Sequence, residues 1–458
     1  MKSSLFSEFS PTDKNAWTQQ ALKDLKGKDF DKTLLWQTSE GFVLEPYYTG
    51  EDVAEDQLAA LQAAQQRKLG WLTQPVVVYE NERATNAKML SLLQKGVDAL
   101  TLDLRNAPLA TVELMKLLNG IKLSDTPVFF QTNGQNTELL HALKSFIAYQ
   151  MKGGLADDGL AEWMTTGRLS ETYFDDLANI CTATKDSPNF KIVCVSSHVF
   201  HNAGANAAQE LAFTLASAVT YMDKLTDAGL SAEDAFSKLY FSVSVGTNYF
   251  MEIAKLRALR YLWQRVQTSW KIEPKTVYLH AQTSAYYEAA ITPNTNLLRA
   301  TTEAMSAVIG GCDALTVHAY DAAFRRPDEF SERIARNISI LLKEEGHLDK
   351  TLDPAAGSYF LENLTQQLAD SAWTLFLEVE EKGGLSAAFE QNFIQDNIEQ
   401  SAHLTLSALQ QGTRVMVGVN KFRVDEEPLK SVAEPKPVES AVSFKLLRNQ
   451  RIAQTFEQ

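Results

Sequence analysis

From residue 75 onward, short β-branched or apolar runs alternate with longer stretches in which apolar residues recur at helical spacing. The strand candidates are residues 75–79, 99–104, 127–132, 192–197, 239–245, 276–282 and 314–318, with a weak eighth run within 348–359. Their near-continuous hydrophobicity is that of strands covered on both faces, hence parallel. Helical periodicity predicts helices over 83–95, 109–118, 137–150, 206–221, 249–267, 296–309 and 329–342. Eight strands with intervening helices predict an α/β fold, a closed (β/α)8 TIM barrel, with an open doubly wound sheet as the competing arrangement.

The barrel carries decorations. Residues 1–50 read as an N-terminal arm that docks on the same chain or on a neighbour, because it is too apolar to lie free in water. Within it Ser10 reads as a helix N-cap with Pro11 at the first helical position. Trp17, Ala21 and Leu25 then share one face, and 34–38 is strand-like. Residues 51–424 hold the barrel and its helical extension, in which 153–187 reads as an inserted helical layer and 362–382 and 387–411 as two long helices. Residues 425–458 read as a Pro-, Glu- and Lys-rich linker followed by a short basic, helical tail.

Composition narrows the function. Apolar residues make up 45% and charged residues 22%, as in ordinary globular proteins, and no window approaches a membrane span. The net charge of −14 is spread along the chain, which argues against a nucleic-acid partner. Cys181, Cys194 and Cys312 are odd in number and widely spaced, so buried thiols in a reducing compartment are expected. No secretory or organellar signal is visible at the N-terminus, which reads as cytoplasmic.

A barrel places its chemistry at the C-terminal ends of its strands, where His198, His280 and His318 fall. Strand alternation puts His280, Gln282 and Ser284 on one face, toward the barrel mouth. A neutral imidazole there either donates to a carbonyl on which charge develops or simply bonds within the core. His198 and His201 lack a third ligand at zinc-site spacing, so no metal is expected. The charges Glu252, Lys255, Arg257 and Arg260, like Arg325 and Arg326, read as surface or inter-helix ion pairs, with phosphate contact as the lesser reading. The common nucleotide, serine-hydrolase and zincin motifs are missing from these 458 residues.

Several runs carry a resemblance. They are Asn248-Tyr249-Phe250-Met251-Glu252-Ile253-Ala254-Lys255-Leu256-Arg257, His280-Ala281-Gln282-Thr283-Ser284, Arg333-Ile334-Ala335-Arg336-Asn337, Asp353-Pro354 with Gly357-Ser358-Tyr359, and Val417-Gly418-Val419-Asn420-Lys421. In this order they resemble the methylmalonyl-CoA mutase family. Lys23-Asp24-Leu25-Lys26-Gly27 with Trp36 and Glu40-Gly41 is similar to the arm of its small subunits. The resemblance implies a coenzyme A thioester threaded through the barrel, a cobalamin domain over its mouth, and a radical rearrangement interconverting methylmalonyl-CoA and succinyl-CoA. It assigns His280 to the thioester carbonyl and Gln282 to the same motif.

Departures from the family pattern direct the reading. Where catalytic subunits carry P-W-T-x-R-Q-Y, this chain has Leu69-Gly70-Trp71-Leu72-Thr73-Gln74-Pro75. The region 154–169 has no arginine in the context that holds the substrate carboxylate. An acyl-CoA without that guanidinium would be poorly paired in a dry site. The cobalt-ligating D-x-H-x-x-G is not found in the 458 residues. The resemblance thus implies a small subunit, with His280 and Gln282 vestigial, no cofactor or metal on this chain, and adenosylcobalamin held by a catalytic large subunit in a heterodimer. The alternative is a catalytic acyl-CoA-binding subunit that uses a separate cobalamin-binding subunit.

Overall fold

The computed structural model describes residues 13–424 and 442–457. Two five-stranded parallel sheets share their boundary strands. Leu72–Thr73 pairs with Ala314–Thr316, and Val76–Val78, just past Gln74-Pro75, pairs with Leu100–Asp103. On the opposite side Phe190–Lys191 pairs with Gly153–Leu155, and Val193–Ser196 pairs with Leu239–Val245. Pro75, which lacks an N–H for the ladder, sits at the first break. Each broken segment is one strand, so the sheets close into an eight-stranded barrel of order 72–78, 100–103, 128–131, 153–155, 190–196, 239–245, 278–283 and 314–316.

One expected strand is wrong and another was missed. Residues 348–359 form a short 3-10 turn, Leu348–Lys350, and irregular loop up to the helix Tyr359–Glu381. The fourth strand is instead Gly153–Leu155, which opens the segment read as a helical layer. His280 therefore lies on the seventh strand and not the sixth, and helix Tyr249–Ser269 follows the sixth strand. A Cβ on Gly153 would come 2.1 Å from the Val128 carbonyl oxygen, and one on Gly154 2.1 Å from that of Lys191. Glycine is required because the neighbouring backbones approach too closely for any side chain.

The expected helix over 109–118 is a 3-10 turn, Leu109–Thr111, and one turn of α-helix, Leu114–Leu117. The second long helix is broken into Gly384–Glu390 and Phe393–Gln410, where Asn392 adopts φ 62°. The expected cap at Ser10 and Pro11 lies outside the described residues; the arm helix found is Lys14–Asp24, capped by Asp13. It buries no residue, but Trp17 stacks on Tyr47 at 5.0 Å. A hairpin, Trp36–Gln37 with Val43–Leu44, follows and buries Leu44. The amide of Asn206 donates to the Ser39 carbonyl, and Tyr48 packs on Phe360.

The linker expected from residue 425 lies outside the described residues up to 441. Residues 442–457 run as a strap over the C-terminal ends of the strands. Phe444 packs on Trp163 and Phe389, and the amides of Leu447, Gln450 and Ile452 donate to the carbonyls of Met164, Asn202 and Tyr286. The three cysteines are buried thiols. Among the described residues, no helix is long and apolar enough to cross a membrane.

Candidate functional site

Period-two alternation brings one row of each strand into the barrel axis. In the lower layer, register pairs Tyr240 with Tyr278 and with Cys194. Phe129 lies opposite Gly154, which has no side chain to compete for the space. The rings of Phe129 and Tyr240 are 5.2 Å apart, those of Phe129 and Tyr278 5.7 Å, and those of Tyr240 and Tyr278 6.0 Å. Each tyrosine is anchored: Tyr240 Oη donates to the Leu155 carbonyl at 2.9 Å, and Tyr278 Oη to Gln74 Oε1 at 3.3 Å. Burial pushes both phenols well above their ordinary pKa, so they stay protonated donors. Three mutually packed rings thus close the axis. Extending the alternation of His280 and Gln282 upstream reaches Tyr278, but the meeting of three rings from three strands is contained in no single stretch of sequence.

Above this layer lies a chain of hydroxyls and imidazoles. Burial holds His280 down at about 4 and His198 at about 3, so each ring carries one proton. The Gln74 carbonyl only accepts, so the hydroxyl of Thr316 must donate to it. That forces His280 Nε2–H to donate to Thr316 Oγ1 at 2.8 Å. Ser242 then donates to His280 Nδ1 at 2.8 Å, and His198 Nε2–H donates to Ser242 at 2.9 Å. Ser244 donates to His198 Nδ1 at 2.7 Å. One backbone oxygen therefore sets the direction of the whole row, and both nitrogens of His280 and His198 are committed inside the barrel.

The charges expected at a surface are buried instead. Lys255 donates to Glu210 at 2.7 Å and to the Ser244 carbonyl at 2.8 Å, and pairs with Glu252 at 2.6 Å. Burial alone would lower the Lys255 ammonium and raise the Glu210 carboxyl; their mutual attraction outweighs it in both. Glu252 is raised, by burial first. Arg257 pairs with Asp353 and Glu362, and Arg260 with Asp313. Inter-helix pairing was therefore the right half of the expectation and exposure the wrong half. Arg325 pairs with Asp321 and Asp328, and Arg326 with Glu80.

His280, Gln282, His198 and His318 line a mouth cavity of about 790 Å³. Ser284 does not join them: the strand ends at Thr283, and Ser284 Oγ turns to His201 Nε2 while its amide donates to Glu303. His201 lies behind the mouth against Glu210. Asp158, unremarked in the sequence, borders the cavity as the cap of helix Gly159–Thr166 and accepts from Ser196 and Tyr221; burial pushes it up to about 6.

Comparison with known proteins accords with this architecture. The family model described as Methylmalonyl-CoA mutase matches residues 106–457. A methylmalonyl-CoA mutase small subunit of Porphyromonas gingivalis is 36% identical over 92% of this chain and 71% of its own length. A methylmalonyl-CoA mutase of Cereibacter sphaeroides is 34% identical over 91% of this chain and 65% of its own. The chain thus spans about two thirds of the length of these relatives. The Porphyromonas gingivalis large subunit is 35% identical over 70% of this chain and 47% of its own length. On the extent of these matches, the chain belongs to the methylmalonyl-CoA mutase family.

Proposed function

We propose that this chain is the small subunit of an adenosylcobalamin-dependent methylmalonyl-CoA mutase, a structural and non-catalytic partner of a catalytic large subunit in a cytoplasmic heterodimer. The observation that carries this reading is the closed axis. A thioester threaded through the barrel has to pass the layer in which Phe129, Tyr240 and Tyr278 pack ring against ring. Opening it would cost several kcal/mol of buried aromatic contact. His280 supports the same reading, because its single proton is spent on Thr316. Gln282 keeps the motif without a carbonyl to serve, so both residues are vestigial.

Two of the three mouth imidazoles do not fit a resident corrin: His198 and His280 use both ring nitrogens on hydroxyls and offer cobalt no lone pair, which leaves His318, and the strap of residues 442–457 crosses the rim. The cofactor, which supplies the radical in this family, therefore belongs to the partner. Residues 13–50 serve as the subunit-interaction arm, since Trp36, Val43 and Tyr47 remain exposed after it docks.

Replacing His280 by Ala in the assembled enzyme tests the assignment. Unchanged turnover is expected. A loss of about a hundredfold, the scale of a lost oxyanion-type contact, would favour the catalytic acyl-CoA-binding subunit with a separate cobalamin protein. Co-expression with a large subunit should give a heterodimer by size exclusion, and a chain that elutes alone counts against the scaffold.

A further inference from the structure

The mouth cavity opens to one side. The first strand pairs with the eighth only through Leu72 and Thr73; past Pro75 it pairs with the second alone, through Val76–Val78. Val76, Val78 and Val317 line the cavity where the two strands part, and Val78 is left exposed. Helix Glu329–Glu344 flanks this opening and turns Arg336 toward it. One turn before Arg336, Glu332 accepts from the Lys88 ammonium at 2.7 Å. One turn after it, Ser339 bonds Thr73 Oγ1 at 2.8 Å and accepts from the Trp71 indole at 2.9 Å. Arg336 is therefore held between two fixed contacts on the same helix face.

Its guanidinium has no counter-ion among the described residues. Nη2 reaches only Asn337 Oδ1, at 3.4 Å, and the buried Nε has no acceptor. The other basic side chains that line the cavity each have a carboxylate: Lys88 has Glu332, Arg105 has Asp103, and Arg326 has Glu80. So do the fully buried Arg257 and Arg260. A half-buried guanidinium that has lost part of its water and gained no counter-ion costs free energy, which an arriving oxyanion offsets through two parallel N–H bonds. Two cations, Lys88 and Arg336, and one carboxylate, Glu332, leave one positive charge for it. Asp157 and Glu162 on the same wall do not cancel that charge, because they follow the fourth strand, across the ring from the eighth. The three valines at the opening offer apolar surface and no aromatic ring.

We propose that this opening binds a small aliphatic molecule with an oxyanion head, a carboxylate or a phosphate, the head on Arg336 and the body over Val76, Val78 and Val317. The site lies beside the barrel axis and not along it, so it does not depend on the packed rings.

The test is saturation-transfer NMR on the full 458-residue chain with probes that share one body: butyrate, butyl phosphate, butylammonium and butanol. At least one of the two anions should bind at a single site, and the one that does names the head group. The cation and the alcohol should not bind. Arg336→Gln should weaken the anion about tenfold or more, the scale of a lost hydrogen bond to a charged group. Arg326→Gln, which removes a cation already paired with Glu80, should bind as the parent does. If Arg336→Gln misfolds, Lys88→Gln takes its place and should weaken the anion several-fold. The assignment is overturned if neither anion binds, if butanol or butylammonium binds as well as they do, or if a folded Arg336→Gln, or Lys88→Gln in its place, binds as the parent does.

Discussion

At the scale of single residues, His280 is held by the row it belongs to. Its two partners lie on the sixth and eighth strands, so His280→Ala leaves Ser242 and Thr316 short of a partner and opens a small void. A loss of about 1–3 kcal/mol is expected in denaturant titration. Nitrogen-15 NMR should find His280 and His198 both protonated on Nε2. The pH dependence has a definite sign. His280 is depressed from 6.5 to about 4, so the unfolded chain takes up this proton first. Its contribution to stability is complete above pH 6.5 and is lost as pH falls from there to about 4. Glu303 acts in the opposite sense. Burial pushes it up to about 8, so its contribution is complete below pH 4.5 and is lost as pH rises to about 8. Glu303→Gln should flatten that alkaline decline in chemical unfolding measured at pH 5 and pH 8.

At the scale of elements, the fourth strand shows where pattern reading fails. Gly153–Leu155 is three residues long and two of them are glycines, so it offers neither β-branched content nor a usable period. Its place is set by the close approach of Val128 and Lys191, a tertiary constraint that no local window contains. Gly153→Ala should cost about 3 kcal/mol or more, or prevent folding, because the obstruction is backbone and cannot swing aside. Gly134 is the control. It also has positive φ, but a Cβ there meets open space, so Gly134→Ala should cost only about 1 kcal/mol by thermal unfolding. The other seven strands announced themselves because each carries a short apolar run that is largely buried, although Val78 at the end of the first stays exposed. The mouth was legible through His280 and Gln282, since alternation fixes which way a strand residue points. The floor beneath them was not, because Phe129, Tyr240 and Tyr278 come from three strands and meet only on closure.

At the scale of the whole molecule, the barrel and the arm present different faces. Trp36 is 50% exposed although it lies in a hairpin that anchors Leu44 in the core. Trp36→Ala should change the stability of the isolated chain by less than about 0.5 kcal/mol. Its association with a large subunit should weaken about tenfold or more by calorimetry, as loss of an aromatic anchor predicts. The axis of the barrel is filled by Phe129, Tyr240 and Tyr278, and the imidazole of His280 is bonded within it. The most direct test counts thioester sites. Titrating the purified heterodimer with a coenzyme A thioester should give one site per pair, with none on this chain by itself. Two sites per heterodimer, or one on the isolated chain, would contradict the closed axis.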